Sequence, residues 1–261
     1  MDKIGVETIS LTLLGGETTL YPVIEFLDEA NKHIKISSLA IISNISMPKK
    51  IIEINEYCKN NNIYLSVPAS YHASQITLDT YMHNIKEMQD AGVLHITPYG
   101  VVNNKNFTQT MIAAENIFRQ TGALMLLGRE RELGHHEWRP LTTWQRIELS
   151  HFYRSKSEKN TNWLKGFSYM ESGKVLKVSC VEEIYNILGF ENIEFKGAIC
   201  DSTHRIAIRT NGDVVFGSVE ECEKKIMNIL TDEKIPTDIN GMLICPLSKC
   251  PCSCGSSILF K

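Results

Sequence analysis

The chain has 261 residues, 43% of them hydrophobic and 22% charged, which is enough apolar material for one large core or two modest ones and excludes a disordered polymer. Its 27 basic and 30 acidic residues leave a formal charge of −3, without the basic excess of a nucleic-acid surface. The opening MDKIGVETIS lacks the basic start and apolar core of a signal peptide, and no apolar run approaches the roughly 18 residues of a membrane span, so a cytoplasmic chain with no membrane partner is expected.

Along the chain, apolar runs of strand type alternate with segments of helical period. ISLTLLG precedes LYPVIEFLDEANKH, SLAIISN precedes MPKKIIEINEYCKN, and IYLSV precedes LDTYMHNIKEMQDAG; VLHITPY, FTQTMIAAENIFRQTG and ALMLLG close the series. This β/α order predicts an α/β fold with a parallel sheet and right-handed crossovers. Near-continuous apolar strands such as SLAIIS and ALMLLG suit a sheet covered by helices, with ISLTLL buried on both faces. An open doubly wound sheet and a barrel both satisfy the pattern, and in either one ligands gather at the C-terminal ends of the strands. After about residue 129 the pattern breaks. RERELGHHEWRP reads as loop, LTTWQRIELSHFYRS as a helix, SEKNTN as a linker, VEEIYNILG as a short helix, and RIAIRTNGDVVFG as two strands around a turn at Asn211-Gly212.

Chemistry is expected where the strands end. The first runs into GGETTLYP: two glycines, an acid, two threonines able to cap, and Pro22 just inside the next helix. Taken alone this is a tidy strand-to-helix turn, and it is no P-loop, since the G-K-[ST] ending is absent. The other strands end in SNIS, SVPASYHAS, TPYG and GRERE, so hydroxyls, an amide and one carboxylate recur along one rim, suited to a polar, amino-acid-like or nucleoside-like ligand. His72 lies close to that rim. Arg129, Arg131 and Arg139 are candidates to clamp a carboxylate or phosphate, whereas the adjacent His135 and His136 read as solvated.

The chain has eight cysteines, and in a reduced compartment a dense cysteine group binds metal more often than it forms disulfides. Cys58, within KKIIEINEYCK, reads as a buried apolar residue, and Cys180 as structural. The stretch CPLSKCPCSCG gathers Cys245, Cys250, Cys252 and Cys254, with Pro246 and Pro251 preventing a regular helix. Its spacing fits the paired knuckles of structural zinc poorly, while iron and sulfide tolerate more varied spacing. An iron–sulfur cluster is therefore preferred, with zinc or an unoccupied structural tail as alternatives.

In their order and spacing these features resemble the radical SAM enzymes that carry a C-terminal auxiliary iron–sulfur extension of SPASM/twitch type, over nearly the whole chain. GGET, Gly15 to Thr18, is similar to the family's GGEP motif, which meets the amino group of S-adenosylmethionine. Ser43 and Asn44 resemble the next rim position, near the ribose, and LSVPASYH with Ser66 and Ser70 resembles the strand that follows. The tail, with Cys200 in GAIC, a strand pair, a helix and C-x4-C-x-C, looks like an auxiliary-cluster domain.

The resemblance implies a partial (β/α) barrel, five of about six units, over 1–130, a helical connection over 131–195, and a cysteine-rich, cluster-binding α+β extension over 196–261. It implies S-adenosylmethionine on Gly15, Gly16, Glu17, Thr18, Ser43, Asn44, Ser66 and Ser70, with Ser43 and Asn44 bonding the nucleoside. It also implies an auxiliary 4Fe-4S cluster on Cys200, Cys245, Cys250 and at least one of Cys252 and Cys254. The activity implied is 5′-deoxyadenosyl-radical chemistry on a small-molecule or peptide substrate.

The chain departs from the family at two points. The C-x3-C-x2-C motif is absent, no cysteine preceding Cys58, and Gly217 stands where related extensions often carry a cysteine, with Cys222 five residues on. The expectation that follows is a partner chain or further N-terminal segment supplying the first β/α unit and covering the first strand. The alternatives are a non-catalytic, cluster-bearing partner and an unrelated β/α protein with a zinc-stabilised tail.

Overall fold

Strands and helices alternate through the first half of the chain in the order β1 (Thr8–Leu13), α1 (Val23–Asn31), β2 (Lys35–Ile41), α2 (Pro48–Asn60), β3 (Tyr64–Ser70), α3 (Leu78–Asp90), β4 (Ile96–Val102), α4 (Phe107–Thr121) and β5 (Leu126–Arg129). The computed structural model describes residues 8–129, 141–157, 168–171, 174–177, 197, 199–201, 206–216, 223–232, 242–244 and 257–259. The chain divides into two compact units, the first formed by Met1–Glu130 with Arg139–Thr142 and the second by Arg131–Trp138 with Thr143–Lys261.

The first unit is an α/β fold whose five strands are all parallel and lie in the order of the sequence. Each helix neighbours the next, α1 on α2, α2 on α3, α3 on α4, so the four form one layer on one face of the sheet. Right-handed crossovers that always step in the same direction produce this one-sided layer, whereas a doubly wound sheet reverses direction and puts helices on both faces.

Local sequence explains the helices. In α2, Pro48 opens the first turn, where its missing N–H costs nothing, and Ile51, Ile54, Asn55 and Cys58 fall on one buried stripe. In α3, the Thr77 side chain accepts the Thr80 N–H as an N-cap, and Tyr81, Ile85 and Met88 face inward. Both helices end in a Schellman turn. The Ile63 N–H reaches the Cys58 carbonyl at 2.8 Å with Asn62 left-handed, and the Val93 N–H reaches Met88 at 2.9 Å with Gly92 left-handed. The core lies between this helix layer and the sheet face carrying Leu39, Ile41, Leu65, Val67, Ala69 and Leu127.

The opposite face differs from expectation. β1 alternates, with Thr8, Ser10 and Thr12 exposed and Ile9, Leu11 and Leu13 half-buried, so it is a one-sided strand and not one buried on both faces. Along β3 and β4 the residues opposite the helices are half-buried or exposed, Tyr64 at 52% and Tyr99 at 40%. β1 is the terminal strand, and among the described residues nothing pairs with its outer edge.

In the second unit, α5 (Thr143–Ser157) occupies the segment read as helical. The stretch expected to be a helical connection also contains a hairpin, β6 (Ser168–Glu171) with β7 (Lys174–Lys177). β8 (Ile199–Asp201) lies between two later strands, β12 (Met242–Ile244) and β13 (Ser257–Leu259), and is antiparallel to both. A meander runs β9 (Ile206–Ile208), β10 (Asp213–Phe216), β11 (Lys224–Asn228).

The hairpin at Asn211-Gly212 forms with a longer loop than the two-residue turn that pair usually signals. The Gly212 N–H bonds the Arg209 carbonyl at 2.9 Å and the Arg209 N–H bonds the Asp213 carbonyl at 2.8 Å, which makes a three-residue loop with Gly212 at φ +85° in the left-handed position. Lys225 pairs with Asp213 at 2.5 Å across the two strands, and Arg209 pairs with Glu223. Among the described residues no helix is long and apolar enough to cross a membrane.

Candidate functional site

The strand-end rim of the first unit is organised around Glu17. Gly15 and Gly16 carry φ of +97° and +61°, a pair of left-handed steps that only glycine makes without strain, and these turn the chain back over the end of β1. Glu17 then caps a short 3-10 turn, Thr18–Leu20. The Thr18 hydroxyl, buried, donates to the Ile42 carbonyl just beyond β2 and pins the turn to the neighbouring strand.

Four donors converge on the Glu17 carboxylate. Oε1 accepts from the Thr19 hydroxyl at 2.7 Å, the Thr19 N–H at 3.2 Å and the Ser43 hydroxyl at 2.7 Å, while Oε2 accepts from the Asn44 N–H at 2.8 Å. All four donors are neutral, and among the described residues no lysine, arginine or histidine forms an ion pair with Glu17. Burial pushes the carboxyl pKa up, but the bonds from Ser43, Asn44 and Thr19 outweigh that and hold it below the ordinary glutamate value. The rim therefore keeps an ionised, half-buried carboxylate whose charge the described residues do not neutralise.

The loop after β2 is built to serve this carboxylate. Ser43 is 2% exposed, and its backbone is stitched to β3 in both directions, its N–H to the Pro68 carbonyl at 3.2 Å and its carbonyl from the Ser70 N–H at 2.7 Å. Its side chain donates to Glu17 and accepts the Ile45 N–H at 2.9 Å. Ile45, fully buried, sits at φ +53°, a conformation that costs a β-branched residue on the order of 1–3 kcal/mol and persists only where the surroundings over-determine it. Its carbonyl accepts from Asn84 Nδ2 of α3 at 2.8 Å.

Of the residues expected at the rim, the structure brings Gly15, Gly16, Glu17, Thr18, Ser43, Asn44 and Ser70 to the strand ends. Ser66 lies inside β3 opposite Ala40, four residues short of Ser70 and so about 13 Å further down the sheet. The Ser43 and Thr18 hydroxyls are both buried and bonded to the protein itself, to Glu17 Oε1 and to the Ile42 carbonyl. Glu17 Oε2 accepts a single bond and so keeps a lone pair open, Gly15 and Gly16 are exposed, and the half-buried Asn44 side chain is bonded at both ends, its Nδ2 donating to Gln75 Oε1 at 3.4 Å and its Oδ1 accepting the Ser46 N–H at 2.9 Å. His72 is exposed in the turn after β3.

Two contributors, Ile45 and Asn84, were not read from the sequence and had no local signal there; Thr19, read as one of two threonines able to cap, is a donor to the cap residue Glu17 instead.

Cys58 is buried as expected, its thiol pushed up to about 11 by burial. For the proposed cluster, Cys200 occupies the middle of β8, paired with Leu243 of β12 and Ile258 of β13, so its strand runs beside the one that leads directly into Cys245. Cys245, Cys250, Cys252 and Cys254 lie outside the described residues, as do Cys180, Gly217, Cys222, Arg131, His135, His136 and Arg139. Among the described residues no three His, Cys, Asp or Glu side chains are grouped to hold a metal ion. A groove of about 420 Å3 lies between α3 and α4, lined by Asp79, Met82, His83, Lys86, Gln120 and Thr121.

Neither known protein families nor curated proteins yield a match to this chain. Among solved structures it is similar to a Coccidioides immitis protein proposed to be a deoxyribose-phosphate aldolase, at 12% identity and a TM-score of 0.32, the match covering 57% of this chain and 55% of that one.

Proposed function

We propose that the strand-end rim binds a small molecule through a cationic amino group held by Glu17, and that this molecule is S-adenosylmethionine, bound by a partial (β/α) barrel of radical SAM type. The observation that carries this reading is the carboxylate itself: ionised, fixed from two elements by Thr19, Ser43 and Asn44, and without a cation among the described residues. A pre-oriented anion with one open lone pair suits an ammonium donor, and binding costs little reorganisation because the carboxylate is already placed. The sequential, one-sided β/α order supports the barrel, whose strand ends all open toward one mouth.

Within this reading Glu17 accepts the amino group, the Gly15–Gly16 backbone allows close approach, and Asn44 orients the nucleoside with its side-chain amide. An iron–sulfur cluster on Cys200 and the tail cysteines Cys245, Cys250, Cys252 and Cys254 would supply electron transfer or substrate anchoring to the same chemistry.

The test compares S-adenosylmethionine with its desamino analogue by calorimetric titration against the chain and its Glu17→Gln variant. The expected result is tighter binding of the amino compound by the wild type and loss of that preference in the variant. Equal binding of both ligands by the wild type, or a preference that survives Glu17→Gln, refutes the assignment of Glu17.

The 261 residues contain no C-x3-C-x2-C, so in this reading the SAM-cleaving cluster is held by residues outside them, on a further segment of the chain or on another polypeptide. Anaerobic incubation with S-adenosylmethionine and a reductant is then expected to give no 5′-deoxyadenosine from these 261 residues alone. Unaided turnover would overturn that placement.

A further inference from the structure

We infer that Asn84, in the middle of α3, is a positioning residue for the strand-end rim: by holding the Ile45 carbonyl it keeps the Ser43–Asn44–Ile45 turn in the shape that delivers two donors to Glu17. Asn84 is 6% exposed, and its Nδ2 donates to the Ile45 carbonyl at 2.8 Å, a bond between residues 39 apart in sequence. From Ile45 the chain of contacts runs back toward the rim. The Ile45 N–H donates to Ser43 Oγ at 2.9 Å, Ser43 Oγ donates to Glu17 Oε1 at 2.7 Å, and the intervening Asn44 N–H donates to Glu17 Oε2 at 2.8 Å.

The need for a tether comes from the backbone. Isoleucine at φ +53° is in a conformation that β-branched residues avoid, so without an outside hold the turn relaxes toward φ below zero and swings the Asn44 and Ile45 amides away from their acceptors. The alternative shape also leaves the Ile45 carbonyl buried without a partner, so Asn84 both removes that penalty and selects the rotamer in which Ser43 is oriented by the Ile45 N–H. Ser43 itself has little freedom, since its backbone is already bound to Pro68 and Ser70 of the β3 side; the peptides of Asn44 and Ile45 are the parts left for Asn84 to set. A helix behind the sheet thus controls a carboxylate at its mouth without touching it. The consequence for a ligand rests on the reading of the rim as a binding site, whereas the control of Glu17 does not.

The test follows the Glu17 carboxyl carbon by NMR through an acid titration of the full chain, for wild type, Asn84→Ala, the double variant Asn84→Ala with Ile45→Gly, and Asn55→Ala. Asn55 is the control: it is another buried amide, 5% exposed on α2, bonded to the Gly92 carbonyl at 3.3 Å and far along the chain from the rim. The expected result is a low wild-type midpoint that rises toward the ordinary glutamate range in Asn84→Ala and returns toward the wild-type value when Ile45→Gly removes the backbone cost of the left-handed turn, even though that variant loses a core side chain.

Asn55→Ala is expected to lower the melting temperature and leave the Glu17 midpoint unmoved. If Asn84→Ala fails to fold, Asn84→Leu, which keeps the branched shape and removes the donor without adding a charge, is titrated in its place with the same expectation. An unchanged midpoint in the Asn84 variants, or an equal shift in Asn55→Ala, overturns the inference and leaves Asn84 a structural amide. Binding of S-adenosylmethionine is measured on the same variants. A midpoint that moves while ligand binding does not supports the positioning role and counts against the ligand reading instead.

Discussion

Glu17→Ala removes the acceptor for four hydrogen bonds, and their lengths and burial set the size of the loss. The bonds from the Ser43 hydroxyl, the Thr19 hydroxyl and the Asn44 N–H are 2.7, 2.7 and 2.8 Å, and the Thr19 N–H bond is longer at 3.2 Å. A bond to a charged acceptor contributes about 1.5–3 kcal/mol, but the four share one half-exposed carboxylate and are not additive. Water replaces the acceptor on the exposed side, so the Ser43 hydroxyl, 2% exposed, accounts for most of the cost, with a part from Asn44. The expected destabilisation is about 3 kcal/mol, or roughly 10 °C in the melting temperature of a unit of this size.

Glu17→Gln keeps the shape and an acceptor on the Ser43 side but turns an amide donor against the Asn44 N–H, for an expected loss of about 1.5 kcal/mol. The sign of the pH dependence separates charge from shape. The folded-state pKa of Glu17 is depressed, so the stabilisation is fully present above the unfolded glutamate value of about 4.3 and is lost as pH falls through the lower folded value. Thermal melts from pH 7 to pH 3 should therefore show the gap between wild type and Glu17→Gln closing at the acid end. A gap of constant size across that range, or a Glu17→Ala melting temperature within about 2 °C of wild type, refutes the electrostatic argument.

Asn62, left-handed at φ +56° in the Schellman turn after α2, should tolerate glycine with a change below about 0.5 kcal/mol, while valine there should cost about 1–2 kcal/mol in urea unfolding. Cys58, 1% exposed and with its thiol pushed up to about 11, should resist alkylation at pH 8 in the native chain and react on unfolding, as read by peptide mass mapping; Cys58→Ser should cost about 1–3 kcal/mol for an unpaired buried hydroxyl. Tyr81→Phe removes a buried bond of 2.6 Å to the Ala69 carbonyl and should destabilise by about 1–2 kcal/mol in the same unfolding assay. Anaerobic reconstitution with iron and sulfide should load the tail with about four irons and as many sulfides per chain, and Cys245→Ala with Cys250→Ala should abolish it; zinc bound in preference, with no acid-labile sulfide, would defeat the cluster proposal.

Chain-local physics made much of this protein legible from its residues. The alternation of ISLTLL, SLAIIS and LSVPAS with helices of period 3.6, the proline opening α2, the threonine cap of α3 and the glycines closing α3 and α4 each act within a few residues, so the sequence carries them directly. The same locality located the Gly15–Gly16 turn and marked Glu17 as the acid of the rim. What the residues of Glu17's site do to one another depends on contacts of long range, Ser43 being 26 positions from Glu17 and Asn84 39 from Ile45, and these exist only once the register of parallel strands is fixed. Tertiary structure alone therefore buried the Ser43 and Thr18 hydroxyls against acceptors of the protein itself, placed Ser66 down the sheet, put Ile45 in a conformation its own side chain disfavours, and left β1 alternating between exposed and half-buried residues where an apolar sequence implied burial on both faces. Propensity is summed over neighbours in the chain, but the direction of a hydroxyl or the sign of a φ angle is decided by whichever distant donor or acceptor the fold brings within 3 Å.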